Sequence, residues 1–166
     1  MNIEVAKVRF EEKSILDNLL KMYCYEWSQY NMFDVNQLGE YEFEYHINDY
    51  LGKDNYYSFF VKVDGKLAGF VFIDDDCTFN SDYAIAEFFI MYKYRRAGVG
   101  RYVANTMFDM FHGKWEVGRH PHNINSMKFW DSVIAEYTNG KYKIATSCQD
   151  AVYHDGTSAD IILFEN

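Results

Sequence analysis

The chain lacks any long apolar run. Its most apolar stretch, AIAEFFIM (residues 84–91), falls far short of the roughly 20 residues that cross a bilayer as a helix, so no membrane span is predicted. The opening MNIEVAKVRFEEK mixes both signs of charge and has neither the basic start nor the apolar centre of a secretory leader, so a cytoplasmic location is expected. Proline occurs once, at Pro121, which excludes a proline-rich linker. The three cysteines, Cys24, Cys77 and Cys148, are odd in number and widely spaced, without a CxxC. That excludes a disulfide framework and leaves reduced, inert thiols as the expectation. Positive charge is scarce as well: 16 Lys and Arg stand against 25 Asp and Glu, for a net charge of −9. Nonspecific nucleic-acid binding draws on a broad positive field, so nucleic acid is not expected as a general partner.

What the chain does have is apolar mass. With 49% hydrophobic residues in 166 it can bury a core unaided, and one domain over residues 1–166 is expected. Aromatic residues make up 19%, enough to line a pocket with rings as well as to fill a core.

VAKVRF near the start alternates as a half-buried strand does, and Ser14 can cap a helix carrying Ile15, Leu16, Leu19, Leu20 and Tyr23 on one face. From Tyr25 to Leu51 the pattern is ambiguous: Tyr41, Phe43, Tyr45 and Ile47 alternate like a strand, while HINDYL suits a short helix. YYSFFVKV and KLAGFVFID flank Asp64-Gly65, a strong hairpin signal. YAIAEFFIM reads as a central strand, and residues 99–111 repeat apolar positions at helical spacing, with Gly113 able to end that helix. KWEVG is a further short strand, residues 123–137 form a helix with Met127, Phe129, Trp130, Val133 and Ile134 on one face, and YKIATS and ADIILFE close the chain as two strands.

Between the central strand and the next helix lies YRRAGVGRY, residues 94–102. It gathers three of the five arginines of an acidic protein around two glycines. The first N–H groups of a helix have no intrahelical partner and carry partial positive charge, so a glycine-rich basic turn at that place is suited to an anion. The third glycine of a dinucleotide GxGxxG is replaced by Val103, and GxxxxGK[ST] is absent. A solvated basic turn is the plain alternative.

Arg95-Arg96-Ala97-Gly98-Val99-Gly100 fits R/Q-x-x-G-x-G/A, and Asn123 to Trp130 follows N-x-x-A-x-x-(L/F)-Y with serine and tryptophan at the alanine and tyrosine positions. In these motifs and in element order the chain resembles the GNAT superfamily of N-acetyltransferases. The resemblance implies an α/β (α+β) fold: a mixed, mostly antiparallel sheet of about six or seven strands with about four helices, splayed around an acyl-CoA site. It implies acetyl-CoA as cosubstrate and no metal. The pyrophosphate would sit on Arg95, Arg96, Ala97, Gly98, Val99, Gly100 and Arg101, and the pantetheine arm along Phe88, Phe89 and Ile90. Asn123 and Trp130 would complete the donor site.

Acetyl transfer needs an unprotonated amine, hence a general base. Superfamily members use a glutamate from either strand beside the turn, here Glu87 or Glu116. Glu87 is favoured because an ionisable group amid AIAEFFIM is costly without a role or a partner. Trp130 cannot protonate a departing thiolate as the tyrosine usual at that position would; either CoA leaves as the thiolate, which a thiol pKa of about 8.5 makes tolerable, or another tyrosine substitutes, for which Tyr137, two turns further along the same face, is the candidate. His120 and His122 flank Pro121 as candidate proton carriers, with no carboxylate beside them in sequence to suggest a metal. The resemblance places acceptor recognition near residues 23–51, where Tyr25, Glu26, Trp27, Tyr41 and Tyr45 would suit a small cationic amine. A peptide or protein N-acetyltransferase, or a non-catalytic acyl-CoA-binding module, shares the same features. A monomer or a homodimer fits.

Overall fold

The computed structural model describes residues 1–41 and 47–166. The described elements run β1 (Ile3–Lys7), α1 (Lys13–Asn31), α2 (Ile47–Gly52), β2 (Tyr57–Val63), β3 (Lys66–Asp74), β4 (Tyr83–Ile90), α3 (Val99–Met110), β5 (Lys114–Arg119), α4 (Ile124–Tyr137), β6 (Lys143–Val152) and β7 (Ser158–Glu165). The strands form one sheet in the order β1-β2-β3-β4-β5-β7-β6. Every neighbouring pair is antiparallel except β4 and β5. This is the expected mixed fold. Asp64 and Gly65, both at positive φ, make the β2–β3 turn that the Asp-Gly pair predicts.

Two apolar layers cover the sheet. On one face α1 sets Leu16, Leu20, Tyr23 and Cys24 at helical spacing against Phe70, Phe72 and Phe89. On the other, Val103, Met107 and Phe108 of α3 and Trp130, Val133 and Ile134 of α4 pack on Val71, Ile85, Trp115, Val117 and Ile162. α1 begins at Lys13 and so includes Ser14, and it runs on to Asn31, well past the periodic stretch seen in sequence. It stops where Met32 turns left-handed and its N–H donates to the Ser28 carbonyl. α3 ends at Met110, before Gly113.

Two irregularities shape the middle of the sheet. The β3–β4 ladder shifts register between Phe72↔Glu87 and Ile73↔Ile85, so Ala86 is an extra, bulged residue. Ile85 therefore joins the α3–α4 core while Glu87, two residues on, meets α1. The parallel β4–β5 ladder holds only Tyr83↔Trp115, Ala84↔Glu116 and Ile85↔Val117. Beyond these pairs the two strands part.

Leu20 has no exposed surface and anchors α1 to the sheet. Leu20→Ala is expected to cost about 2–5 kcal/mol, measured as a lower midpoint in urea unfolding with an unchanged slope.

Candidate active site

The basic turn lies where β4 and β5 separate. After β4 the chain makes a single 3-10 turn at Tyr92–Tyr94. Arg96 (φ 60°) and Gly98 (φ 81°) then take left-handed conformations. Such alternation turns successive N–H groups inward to form an anion-binding hollow, and only glycine adopts the Gly98 geometry without strain. The first backbone bond of α3 runs from the Tyr102 N–H to the Gly98 carbonyl at 3.0 Å, and no described group accepts the N–H groups of residues 96–101. Gly100 packs tightly on α4, since a Cβ there would lie 3.1 Å from the Phe129 ring.

The arginines divide. Arg95 Nε donates to the Ile90 carbonyl at 2.5 Å, and its Nη2 pairs with Glu26 at 2.6 Å. Its guanidinium also lies over the Tyr92 ring, 4.2 Å from the centroid. Arg101 is held by Glu136 and Ser132 on α4. Both side chains are thus tied to the protein instead of turned toward a ligand. Arg96 is exposed and has no described hydrogen-bond or ion-pair partner.

Glu87 is buried beside the parting strands, and the Tyr23 O–H donates to its Oε2. A cavity of about 150 Å³ opens there, lined by Glu87, Phe88, Trp130, Trp27, Asn31 and Tyr153 among others. A second cavity, about 260 Å³, adjoins it and shares Ile85, Ala86, Gly118 and Tyr153. Small side chains, Ala84, Ala86, Ala151 and Ala159, line it together with the carboxylates Asp74, Asp76 and Glu116. Burial pushes the Asp74 carboxyl above its ordinary range, although the Tyr50 O–H donates to it. Asn31 Oδ1 is buried without a described partner at the first cavity. Cys24 also lines that cavity; burial first, then the charge of Glu87, push its thiol up to about 12, so it stays protonated. All three cysteines are free thiols.

The other sequence candidates take different roles. Glu116 lines the second cavity but is buried, and both its oxygens accept backbone N–H groups of the β3–β4 loop, from Thr78 at 2.9 Å and Phe79 at 2.7 Å. It is an anchor for that loop. Tyr137 sits at the far end of α4, packed on Phe108 and donating to Asp109 Oδ1 at 2.8 Å, away from the cavities. Asn123 caps α4 through the Ser126 N–H at 3.0 Å. Trp130 is buried edge-on to Phe88, with ring centroids 5.0 Å apart, as a cavity wall. Of the acceptor candidates, Trp27 lines the first cavity and Tyr41 is half-buried, whereas Tyr25 is 74% exposed and Glu26 pairs with Arg95. Tyr45 lies outside the described residues.

The histidines gain a partner that the sequence spacing did not supply. Folding brings ligand atoms of His120, His122 and Asp155 within 4.8 Å of one another. The His122 N–H donates to His120 Nδ1 at 3.2 Å, while His120 Nε2, buried and without a described hydrogen-bond partner, lies 3.3 Å from Asp155 Oδ2. The Thr157 hydroxyl and N–H hold the Asp155 carboxyl below its ordinary range.

Sequence reasoning missed Tyr153, which lies just before the β6–β7 turn. It stacks on Trp27 (5.7 Å, 24°) and touches the His120 ring at 4.6 Å. Its N–H donates to the Thr157 carbonyl and its own carbonyl accepts from the Gly156 N–H, each at 2.9 Å. The available signal was an aromatic residue entering the last turn, in AVYHDG.

A profile of the acetyltransferase (GNAT) family matches residues 15–133. No curated protein sequence matches the chain. Among solved structures, an acetyltransferase from Thermus thermophilus superposes with a TM-score of 0.68 at 10% identity, covering 100% of this chain and 98% of that one. A chimera of the Vibrio cholerae spermidine N-acetyltransferase gives 0.66 at 10% identity, covering 99% and 96%. A Bacillus anthracis acetyltransferase assigned to streptothricin, in complex with acetyl coenzyme A, gives 0.63 at 13% identity, covering 100% and 99%. At such identities the structures share the fold, and the profile, spanning most of the chain and including the glycine-rich turn, supplies the family. The chain belongs to the acetyltransferase (GNAT) family and is an acyltransferase.

Proposed function

We propose that the protein transfers the acetyl group of acetyl-CoA to a primary amine of a small acceptor that carries a further positive charge. The observation that carries this reading is the buried Glu87 carboxylate at the parting of β4 and β5, between a hollow of free N–H groups and a cavity lined by carboxylates. In this reading the N–H groups of residues 96–101 hold the pyrophosphate, with Arg96 adding charge. The pantetheine arm follows the edge of Phe88, Phe89 and Ile90 that β5 leaves open. The thioester then lies beside Glu87, which takes the proton of the attacking amine. Burial keeps Cys24 a thiol, a poor nucleophile, which supports direct transfer to the amine.

The acceptor side supports a cation. Asp74, Asp76 and the unpartnered Asn31 oxygen offer acceptors to ammonium protons, and Trp27 and Tyr153 offer ring faces. Spermidine, named for the Vibrio neighbour, belongs to that class of amine.

Thiol release from acetyl-CoA over a panel of amines tests the reading: diamines and polyamines are expected to outrun neutral and anionic amines and acetylatable peptides, and the opposite order overturns it. Glu87→Gln should lower kcat by about 10²-fold or more. Glu116→Ala should instead cost about 1–3 kcal/mol of stability, with kcat of the folded fraction retained, because it frees two loop N–H groups. Calorimetry should show Arg96→Ala weakening acetyl-CoA binding by about three- to tenfold, less so at high salt, while Arg101→Ala leaves it nearly unchanged.

A further inference from the structure

We propose that Tyr153 is the acid that protonates the departing CoA sulfur, in place of the α4 position occupied by Trp130. The inference rests on the acetyl-transfer reading above. Indole N–H cannot serve as that acid, and Tyr137, the other tyrosine on the same helix face, is bonded to Asp109 about 10 Å further along α4.

Tyr153 reaches the site from the opposite direction, out of the β6–β7 hairpin. Its ring lies flat on Trp27 and beside His120, and backbone bonds on both sides of the turn fix its position. The hydroxyl stands over β5 at Gly118, where a Cβ would come within 3.7 Å of it. Gly118 is the first β5 residue beyond the last pair with β4, so the hydroxyl hangs over the opening itself. Tyr153 lines both cavities, and no described residue hydrogen-bonds to its hydroxyl. A phenol that lines both cavities where β4 and β5 part, its O–H uncommitted among the described residues, is positioned to meet the thioester sulfur.

The proton count closes. The amine nitrogen attacks the thioester carbonyl carbon and forms the C–N bond, and its proton passes to Glu87. The C–S bond breaks, sulfur leaves with the electron pair, and the Tyr153 proton moves onto it as the negative charge develops. The resulting phenolate recovers its proton from the Glu87 carboxylic acid, which is stronger than any phenol. The net result is one proton carried from amine to thiol. Burial first, and then the charge of Glu87, push the Tyr153 phenol above its ordinary range. That second contribution vanishes once Glu87 has taken the amine proton, so the acid strengthens at the moment it is needed.

Tyr153→Phe keeps the ring stacked on Trp27 and removes only the hydroxyl. With acetyl-CoA and the best amine of the panel, kcat is expected to fall by about 10²-fold while KM for both substrates and calorimetric affinity for acetyl-CoA stay within about threefold. A kcat within threefold of the parent, or a loss carried by KM alone, overturns the assignment. If the parent protein itself neither binds acetyl-CoA nor releases thiol, the acetyl-transfer reading fails instead, so the two failures are distinguishable.

Discussion

Three residue pairs are all that join β4 to β5, and the site depends on their being so few. Parallel strands joined for their full length would satisfy each other's backbone groups and leave no free edge. Here the β4 edge past Ile85 is open, and the wedge between the strands is walled by rings, Phe88 and Trp130 on one side and Trp27 and Tyr153 on the other. What keeps the wedge open is packing at both ends. The Ala86 bulge bends β4 where pairing stops, and Arg119 ties the end of β5 to Asp131 on α4. A backbone edge without partners is costly, and in the acetyl-transfer reading it is the amides of a pantetheine arm that meet it.

The anion hollow shows how little of a positive site need come from side chains. Of the three arginines in the turn, Arg95 secures the turn to α1 and to the end of β4, and Arg101 joins α3 to α4. What remains for a phosphate is chiefly backbone, aimed by two left-handed residues and the head of a helix. This resolves the oddity of a basic cluster in a protein of net charge −9. Much of its charge is spent on holding the hollow in shape.

The fold was legible because its signals are local. Asp64-Gly65 specifies a hairpin, the glycines at 98 and 100 specify a turn into a helix, and the apolar spacing of 99–111 and 123–137 specifies two packed helices. The shape of the glycine-rich turn was legible too, since it lies within one continuous segment. The surroundings of the other candidates were not, for reasons that each involve distant partners. Glu116 and Glu87 look alike in sequence, and only the loop at Thr78 and Phe79 separates an anchor from a base candidate. Tyr137 shares a helix face with Trp130, but two turns carry it about 10 Å along α4, to Asp109. Tyr153 enters from a hairpin whose register includes two irregularities that no local pattern announces. Asp155, likewise, is next to His120 only after folding.

The β6–β7 turn also rests on the end of α1, where His154 meets the Asn31 carbonyl and Phe33, 123 and 121 residues away in the chain. The turn that carries Tyr153 is therefore clasped to a helix far away in the sequence. Closing so long a loop carries an entropic cost that no local contact repays, so the Tyr153 ring takes its place only once the sheet between the two segments is assembled, whereas the glycine-rich turn is shaped within one short segment.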